Sequence, residues 1–513
     1  MARQQLQSGK APNLKVNTTA ALVGKTWTMA FGIVVIPFYI KYLGVESYGL
    51  IGLSASLQAV FSLLDFGIGA ALTREMARLS IGKEGVRARR NILRTLEVLY
   101  CLIFFIVGTA IIVLSSYIAA NWVNPVTLSL QSVTDSLRLI GISIALQSVM
   151  GFYQGGLAGL QRQVFVSFTL VAVTTARGIG ALLILAFVTR RIEAFFLWQI
   201  VPLAMGAMGS RCYIWHVLPH DQAPQFDRKA IRSCWKFAFG WGANSIALAL
   251  FSQADKLILS RFLTLDNLGY YSLAQTVAGP VAAVTNSVGT SVFPRFTQLA
   301  SRGSLMELRN IYHKANQCLI LLVAPFAVVV SVFSFDILSI VTGSQAVAHN
   351  ASMPLKLIVL GAMFSALITL PNYLQLAYGY FRLILGSLLA LSATYLPLLI
   401  YMVKSYKTDG AALSWLIINF CFLFSVPLMH RNFLRGELRE WLVRDTMAPL
   451  FSAGVCGAVI GYVYPFTGAY PAGLIPIALS YCLILFVTAG SLNEVRSGIR
   501  SLRPVFSNEQ RYV

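Results

Sequence analysis

The chain has 513 residues, of which 57% are hydrophobic and 12% charged. A water-soluble domain carries about 25% charged residues to cover its surface, so a soluble globular protein is excluded. The net charge of +21 sits in short segments between apolar blocks, the pattern that orients membrane proteins. It comes with no zinc-finger spacing and no extended basic domain, so no nucleic-acid partner is expected.

The apolar blocks run to about 20 residues, the length that crosses a bilayer as a helix. In hydrocarbon the backbone must satisfy itself, which leaves helices or closed barrels. Barrel strands alternate in hydropathy, whereas Leu99–Leu114 is continuously apolar. The expected fold is therefore all-α, a polytopic membrane protein with about 14 transmembrane helices. A polar, basic segment over 1–20 is read as a cytoplasmic tail, because no clear signal-peptide cleavage site follows it.

Six spans are then expected over 21–220: Leu22–Ile40, Gly49–Leu72, Leu96–Ala119, Leu137–Leu160, Val164–Val188 and Ala194–Val217. Six more occupy 221–430: Ser233–Gln253, Leu268–Val292, Ala315–Ile340, Leu355–Ala377, Leu383–Val403 and Gly410–Met429. The stretch 431–492 carries Met447–Tyr464 and Ala472–Ala489, and 493–513 forms a second tail. Lys and Arg concentrate in Arg74–Arg94, Arg228–Lys236, Arg295–Lys314, Arg431–Arg444 and Arg496–Arg511, while 121–136, 341–353 and 465–471 have none. Short basic loops face the cytoplasm, so an even span number puts both termini there. The loops are too short for a catalytic domain and contain no Walker loop, so an enzyme is not expected.

An internal echo runs through the chain. The segment from Tyr42 and the segment from Phe262 align at an offset of 220 residues, matching Gly49 with Gly269, Gly69 with Gly289 and Leu79 with Leu299. A shift of six spans keeps orientation, so these are parallel repeats. Paired bundles of this kind are a transporter design.

The same stretches carry a family resemblance. Pro37–Tyr39, Tyr42-Leu43-Gly44, Tyr48-Gly49-Leu50 and Leu64-Asp65-Phe66-Gly67 with Arg74 are joined by Asp255-Lys256, Leu268-Gly269-Tyr270-Tyr271 and Phe293-Pro294-Arg295. The chain resembles the bacterial polysaccharide biosynthesis flippases, within the multidrug/oligosaccharidyl-lipid/polysaccharide exporter superfamily. The resemblance implies two six-helix lobes plus two C-terminal helices, alternating access, and a substrate built on undecaprenyl diphosphate. It implies residence in the bacterial plasma (inner) membrane and lipid-linked oligosaccharide as the partner. A polymerase and a chain-length regulator are further partners it suggests. No cofactor is implied, and the resemblance suggests coupling to a proton or sodium gradient.

Candidate site residues follow from where charge and polarity meet apolar blocks. Arg177 lies mid-span, where a charge faces a cavity or a partner, and its fork of donors suits a phosphate or an acidic sugar. Its alternative is a structural ion pair. Lys25, Arg74, Arg138 and Arg211 are basic residues at other depths along a diphosphate's path, or ordinary topology charges. Gln147, Gln154, Asn244, Asn372 and Gln375 are candidate sugar contacts or interhelical glue. Asp65 and Asp255 are candidates for ion coupling, with helix packing or an ion pair as the alternative. Pro37, Pro280 and Pro371 each remove a backbone donor and are hinge candidates or static bends. Gly155, Gly156 and Gly159 permit close helix contact. Tyr39 and Tyr42 read as an interfacial aromatic belt. The five histidines and seven cysteines show no metal-ligand spacing, so no metal is expected. Rival readings are a drug or metabolite exporter or a peptidoglycan-precursor flippase of the same superfamily, a membrane-embedded glycosyltransferase or polymerase, and a structural scaffold.

Overall fold

The computed structural model describes residues 14–62, 67–79, 85–218, 224–226, 253–463 and 474–492. Asp65 and Asn244 lie outside the described residues, as does most of the expected span Ser233–Gln253. The described chain is helical almost throughout, and its only isolated β-bridge pairs Asn124 with Thr264. Among the described residues, nine helices are long and apolar enough to cross a membrane, and Ile475–Ser491 is a shorter apolar one. One of the nine holds a pair of expected spans and another holds one span and the start of the next, which brings the count close to the sequence reading. The helix Leu265–Arg302, where a further span was expected, falls outside these nine.

The helices are α1 Leu14–Phe61, α2 Ile68–Arg78, α3 Gly85–Asn121, α4 Leu130–Gly159, α5 Gln163–Phe187 and α6 Ile192–Val217. Residues 253–262 form α7. They are followed by α8 Leu265–Arg302, α9 Leu305–Val332, α10 Ser334–Thr342, α11 Gln345–Ala377 and α12 Phe381–Phe422. After a 3-10 turn come α13 Val426–Phe433, a π-helical segment Glu440–Met447, α14 Ala448–Val463 and α15 Leu474–Ser491.

The first expected span and the start of the second are both in α1, broken at Gly44, whose φ of 79° and ψ of 171° suit only glycine. The break in α12 is at Lys407, with φ 52° and ψ −128°. The helices themselves run on through Pro37, Pro280 and Pro371. The second expected span, Gly49–Leu72, is not one helix: α1 stops at Phe61 and α2 begins after Gly67, which holds φ 76°. Loop glycines were visible in the sequence, but that interruption inside an apolar run was not.

The chain divides into two compact units, 1–269 and 270–513. The sequence reading set its lobe boundary at residue 220. Hydrogen bonds explain why 253–269 belong with the first unit. Trp122 Nε1 donates to Ser260 Oγ at 3.0 Å, Asn124 Nδ2 to the Arg261 carbonyl at 3.0 Å, and Leu265 N to the Asn124 carbonyl at 3.2 Å. Beside them the buried Glu46 carboxylate accepts from the backbone amides of Thr127 at 2.8 Å and Leu128 at 3.1 Å. The glycines related by the 220-residue echo, Gly49 and Gly269, abut each other here. A Cβ on Gly49 would lie 3.0 Å from the Gly269 amide nitrogen, and one on Gly269 would lie 3.3 Å from that of Gly49.

Within the first unit α4 is central, packing on α2, α3 and α6. Gly156 lets it approach closely, since a Cβ there would meet Ile214 Cδ1 at 2.7 Å and Leu72 Cδ2 at 3.0 Å. Glu97 of α3 is buried and ties three helices together. It accepts from Tyr153 Oη at 2.6 Å, Arg211 Nε at 2.8 Å and Arg94 Nη1 at 3.3 Å. In the second unit α11 packs on α9, α10 and α12, and α9 also carries α14, α15 and the π segment. The 220-residue offset relates Tyr153 to Tyr373, Arg211 to Arg431 and Glu97 to Gln317. There the carboxylate comes from outside the repeat, because Gln317 Nε2 donates to Asp445 Oδ1 of the π segment at 2.9 Å.

Candidate functional site

The polar residues of α4, α5 and α6 converge on Arg177. Its Nη1 donates to Gln147 Oε1 at 3.1 Å, and its Nε donates to Gln199 Oε1. Gln199 is buried, with Phe195 and Phe196 buried beside it. Both partners are neutral amides, and among the described residues no carboxylate lies within ion-pair distance of Arg177. The amides orient the guanidinium and leave its charge uncompensated. Among the described residues, two of its five donors are used and three stay open.

Arg177, Gln147, Gln199, Ser54 and Gln58 line a cavity of about 60 Å³ within the first unit. Gln58 and Gln147 also line an adjoining cavity of about 630 Å³, whose wall includes Ser62, Thr73, Ser148 and Tyr100. Gly69, Gly151 and Gly155 expose backbone to the same space. A part-buried arginine on a long apolar helix is costly unless solvated by a cavity or polar partners, and Arg177 has both. A cation beside a chamber of amides and hydroxyls can hold an anionic group and hydrogen-bond an uncharged polar one.

The structure brings together only part of the expected set. Arg177 and Gln147 meet at the cavity. Gln154 does not line it, and its amide nitrogen is buried without a hydrogen-bond partner. Arg211 is committed to Glu97, and Arg138 pairs with Asp135 at 2.9 Å. Lys25 and Arg74 are exposed and line neither cavity, although Thr73 next to Arg74 does. Asp255 is buried and accepts from the backbone amide of Lys256 at 2.8 Å. Asn372 and Gln375 lie in the second unit, where Gln375 Nε2 approaches Asn372 Oδ1 at 3.5 Å. Tyr39 does not belong to an interfacial belt. It is buried with its ring edge-on to Phe195 at 5.1 Å, because α1 packs its inner face against the bundle. Sequence reasoning missed Gln58, Ser54 and Gln199. Gln199 lies 22 residues after Arg177, on the next helix, and only the packing of α5 on α6 joins them.

A bundle of helices long and apolar enough to cross a membrane, with a polar, cation-bearing cavity among them, is the architecture of a membrane transporter. The chain belongs to the polysaccharide biosynthesis protein family, whose model matches residues 14–300, and the MatE model matches 242–402. It is thus a polysaccharide flippase-family transporter of the multidrug/oligosaccharidyl-lipid/polysaccharide superfamily. It is 21% identical over 381 residues to a Shigella flexneri protein named as an O-antigen transporter, covering 74% of this chain and 88% of that one. Its fold is similar to that of the lipid II flippase MurJ in an inward closed conformation, with a TM-score of 0.71 at 15% identity over 91% of this chain and 97% of that one. It is also similar to an inward-facing multidrug resistance MATE transporter, with a TM-score of 0.65 at 10% identity over 80% of this chain and 99% of that one.

Proposed function

We propose that this protein flips undecaprenyl-diphosphate-linked oligosaccharide repeat units from the cytoplasmic to the outer face of a bacterial inner membrane. Both termini are then cytoplasmic, and the protein catalyses no covalent chemistry. The observation that carries the reading is Arg177, a charge held by two neutral amides at the edge of a polar chamber. A lipid-linked sugar presents an anionic group joined to hydroxyl-rich rings. Arg177 offers charge-assisted hydrogen bonds to the first, worth about 1.5–3 kcal/mol each. Gln58, Gln147, Ser148 and Thr73 offer donors and acceptors to the second. The polyprenyl chain stays in lipid throughout, so only the headgroup needs compensation.

Alternating access supplies the transport step, with the cavity opening to one face at a time. Coupling to a proton or sodium gradient would drive it, and Asp255 is the buried carboxylate among the described residues that we assign to this role. The test is reconstitution into proteoliposomes with a fluorescent lipid-linked oligosaccharide, quenched from outside. Headgroup translocation that depends on Arg177 supports the reading. Transport of lipophilic cations with no movement of the lipid-linked sugar would make it a drug exporter, and translocation of lipid II alone would make it a peptidoglycan-precursor flippase.

A further inference from the structure

The second unit holds a cluster that transport of the headgroup does not use. His313 on α9 has Nδ1 hydrogen-bonded to Asp445 Oδ2. The Asp445 side chain is 1% exposed, and its other oxygen takes the Gln317 amide. A carboxylate at Nδ1 fixes the tautomer and leaves the Nε2 lone pair pointing the other way. Nε2 lies 3.2 Å from Glu437 Oε2, while Arg309 Nη1 takes the other oxygen of Glu437 at 3.0 Å. Two acceptors therefore face each other, and a cation must join them, either a proton or a metal ion.

A third group separates these two. Glu440 lies one helical turn beyond Glu437, and the ligand atoms of His313, Glu437 and Glu440 all fall within 4.8 Å of one another. A proton bridges only one pair, whereas a metal ion can also take the exposed Glu440 carboxylate as a third ligand. Tetrahedral zinc bonds of about 2.0–2.1 Å put neighbouring ligand atoms about 3.3 Å apart, close to the His313–Glu437 spacing.

We propose that His313 Nε2, Glu437 Oε2 and a Glu440 carboxylate oxygen bind one divalent cation of the zinc, cobalt or nickel class. The nitrogen ligand disfavours magnesium and calcium. Two carboxylates balance the ion's charge, and water can take the fourth position. The supporting shell is already in place, with Asp445 orienting the imidazole and Arg309 holding the Glu437 carboxylate. Glu440 is exposed and gives the ion an entry path, and its contact with Arg444 is loose at 3.8 Å. Bound metal would pin α9 to the segment that leads into α14. Sequence spacing missed the cluster because His313 and Glu437 are 124 residues apart.

The test uses full-length, tag-free protein stripped with chelator. Titration with Zn²⁺ followed by calorimetry, and with Co²⁺ followed by visible absorption, should show one equivalent bound. Asp445→Asn should weaken binding about 10–100-fold, and His313→Ala should abolish it. Because His313→Ala removes a buried partner, Glu440→Gln is the second variant. It changes an exposed side chain, so it should keep the wild-type melting temperature in chelator yet lose the rise in melting temperature that Zn²⁺ gives. The proposal is overturned if wild type takes up no stoichiometric metal, which leaves a protonated His313 as the bridge. It is equally overturned if uptake survives both Glu440→Gln and Glu437→Gln.

Discussion

Replacing Arg177 with Ala should reduce headgroup translocation by roughly 100-fold. The guanidinium spends two donors on Gln147 and Gln199, and the remaining three can hold an anionic oxygen pair with two bonds. Two charge-assisted bonds at the low end of about 1.5 kcal/mol each give about 3 kcal/mol, or two orders of magnitude in affinity. Arg177→Lys keeps the charge and loses the fork, so about tenfold of the loss should be recovered. The substitution by Ala also strands the Gln199 oxygen in a buried setting, at about 1–3 kcal/mol of stability. Rates are therefore normalised to the amount of folded protein, read by size-exclusion profile in detergent. The assay is the proteoliposome quench, with substrate concentration varied to separate affinity from turnover. Wild-type rates from well-folded Arg177→Ala would refute the role of Arg177 as the anion-holding group.

Five other variants have outcomes that follow from the geometry. Gln199→Leu should lower translocation about tenfold by freeing the Arg177 Nε contact, a charge-assisted bond of about 1.5–3 kcal/mol. Gln154→Leu should leave transport unchanged and raise the melting temperature, since it removes a buried amide nitrogen without a partner. A fall in transport for that variant would count against the cavity as drawn. Glu97→Ala should cost about 1–3 kcal/mol, because it strips the acceptor from the buried Tyr153 hydroxyl while the half-exposed Arg94 and Arg211 turn to solvent, and thermal unfolding in detergent would register it. Gly156→Leu should block the approach of α4 to α2 and α6, seen as loss of a monodisperse peak, while the exposed Gly151, which has open space around it, should accept Ala with little change in stability.

Much of this molecule was legible in the chain itself. Continuous apolar runs such as Leu99–Leu114 read as helices in hydrocarbon, because only helices and closed barrels satisfy the backbone there and barrel strands would alternate in hydropathy. The echo of Gly49 and Gly269 was legible too, since small residues are needed where backbones touch. Arg177 stood out because a charge in an apolar run is costly wherever it points. Direction and partnership were not legible. Arg177 and Arg211 are both arginines on apolar helices, yet one meets two amides at a cavity and the other meets Glu97. Nothing in the local sequence separates them, because the difference lies in which helix faces which. The same holds for Gln147 and Gln154, seven residues apart, of which only the first reaches the cavity. Composition and period determined what the elements are and that they lie in a membrane. Packing between helices distant in sequence decided which charges are neutralised and which stands beside a cavity with only amide partners.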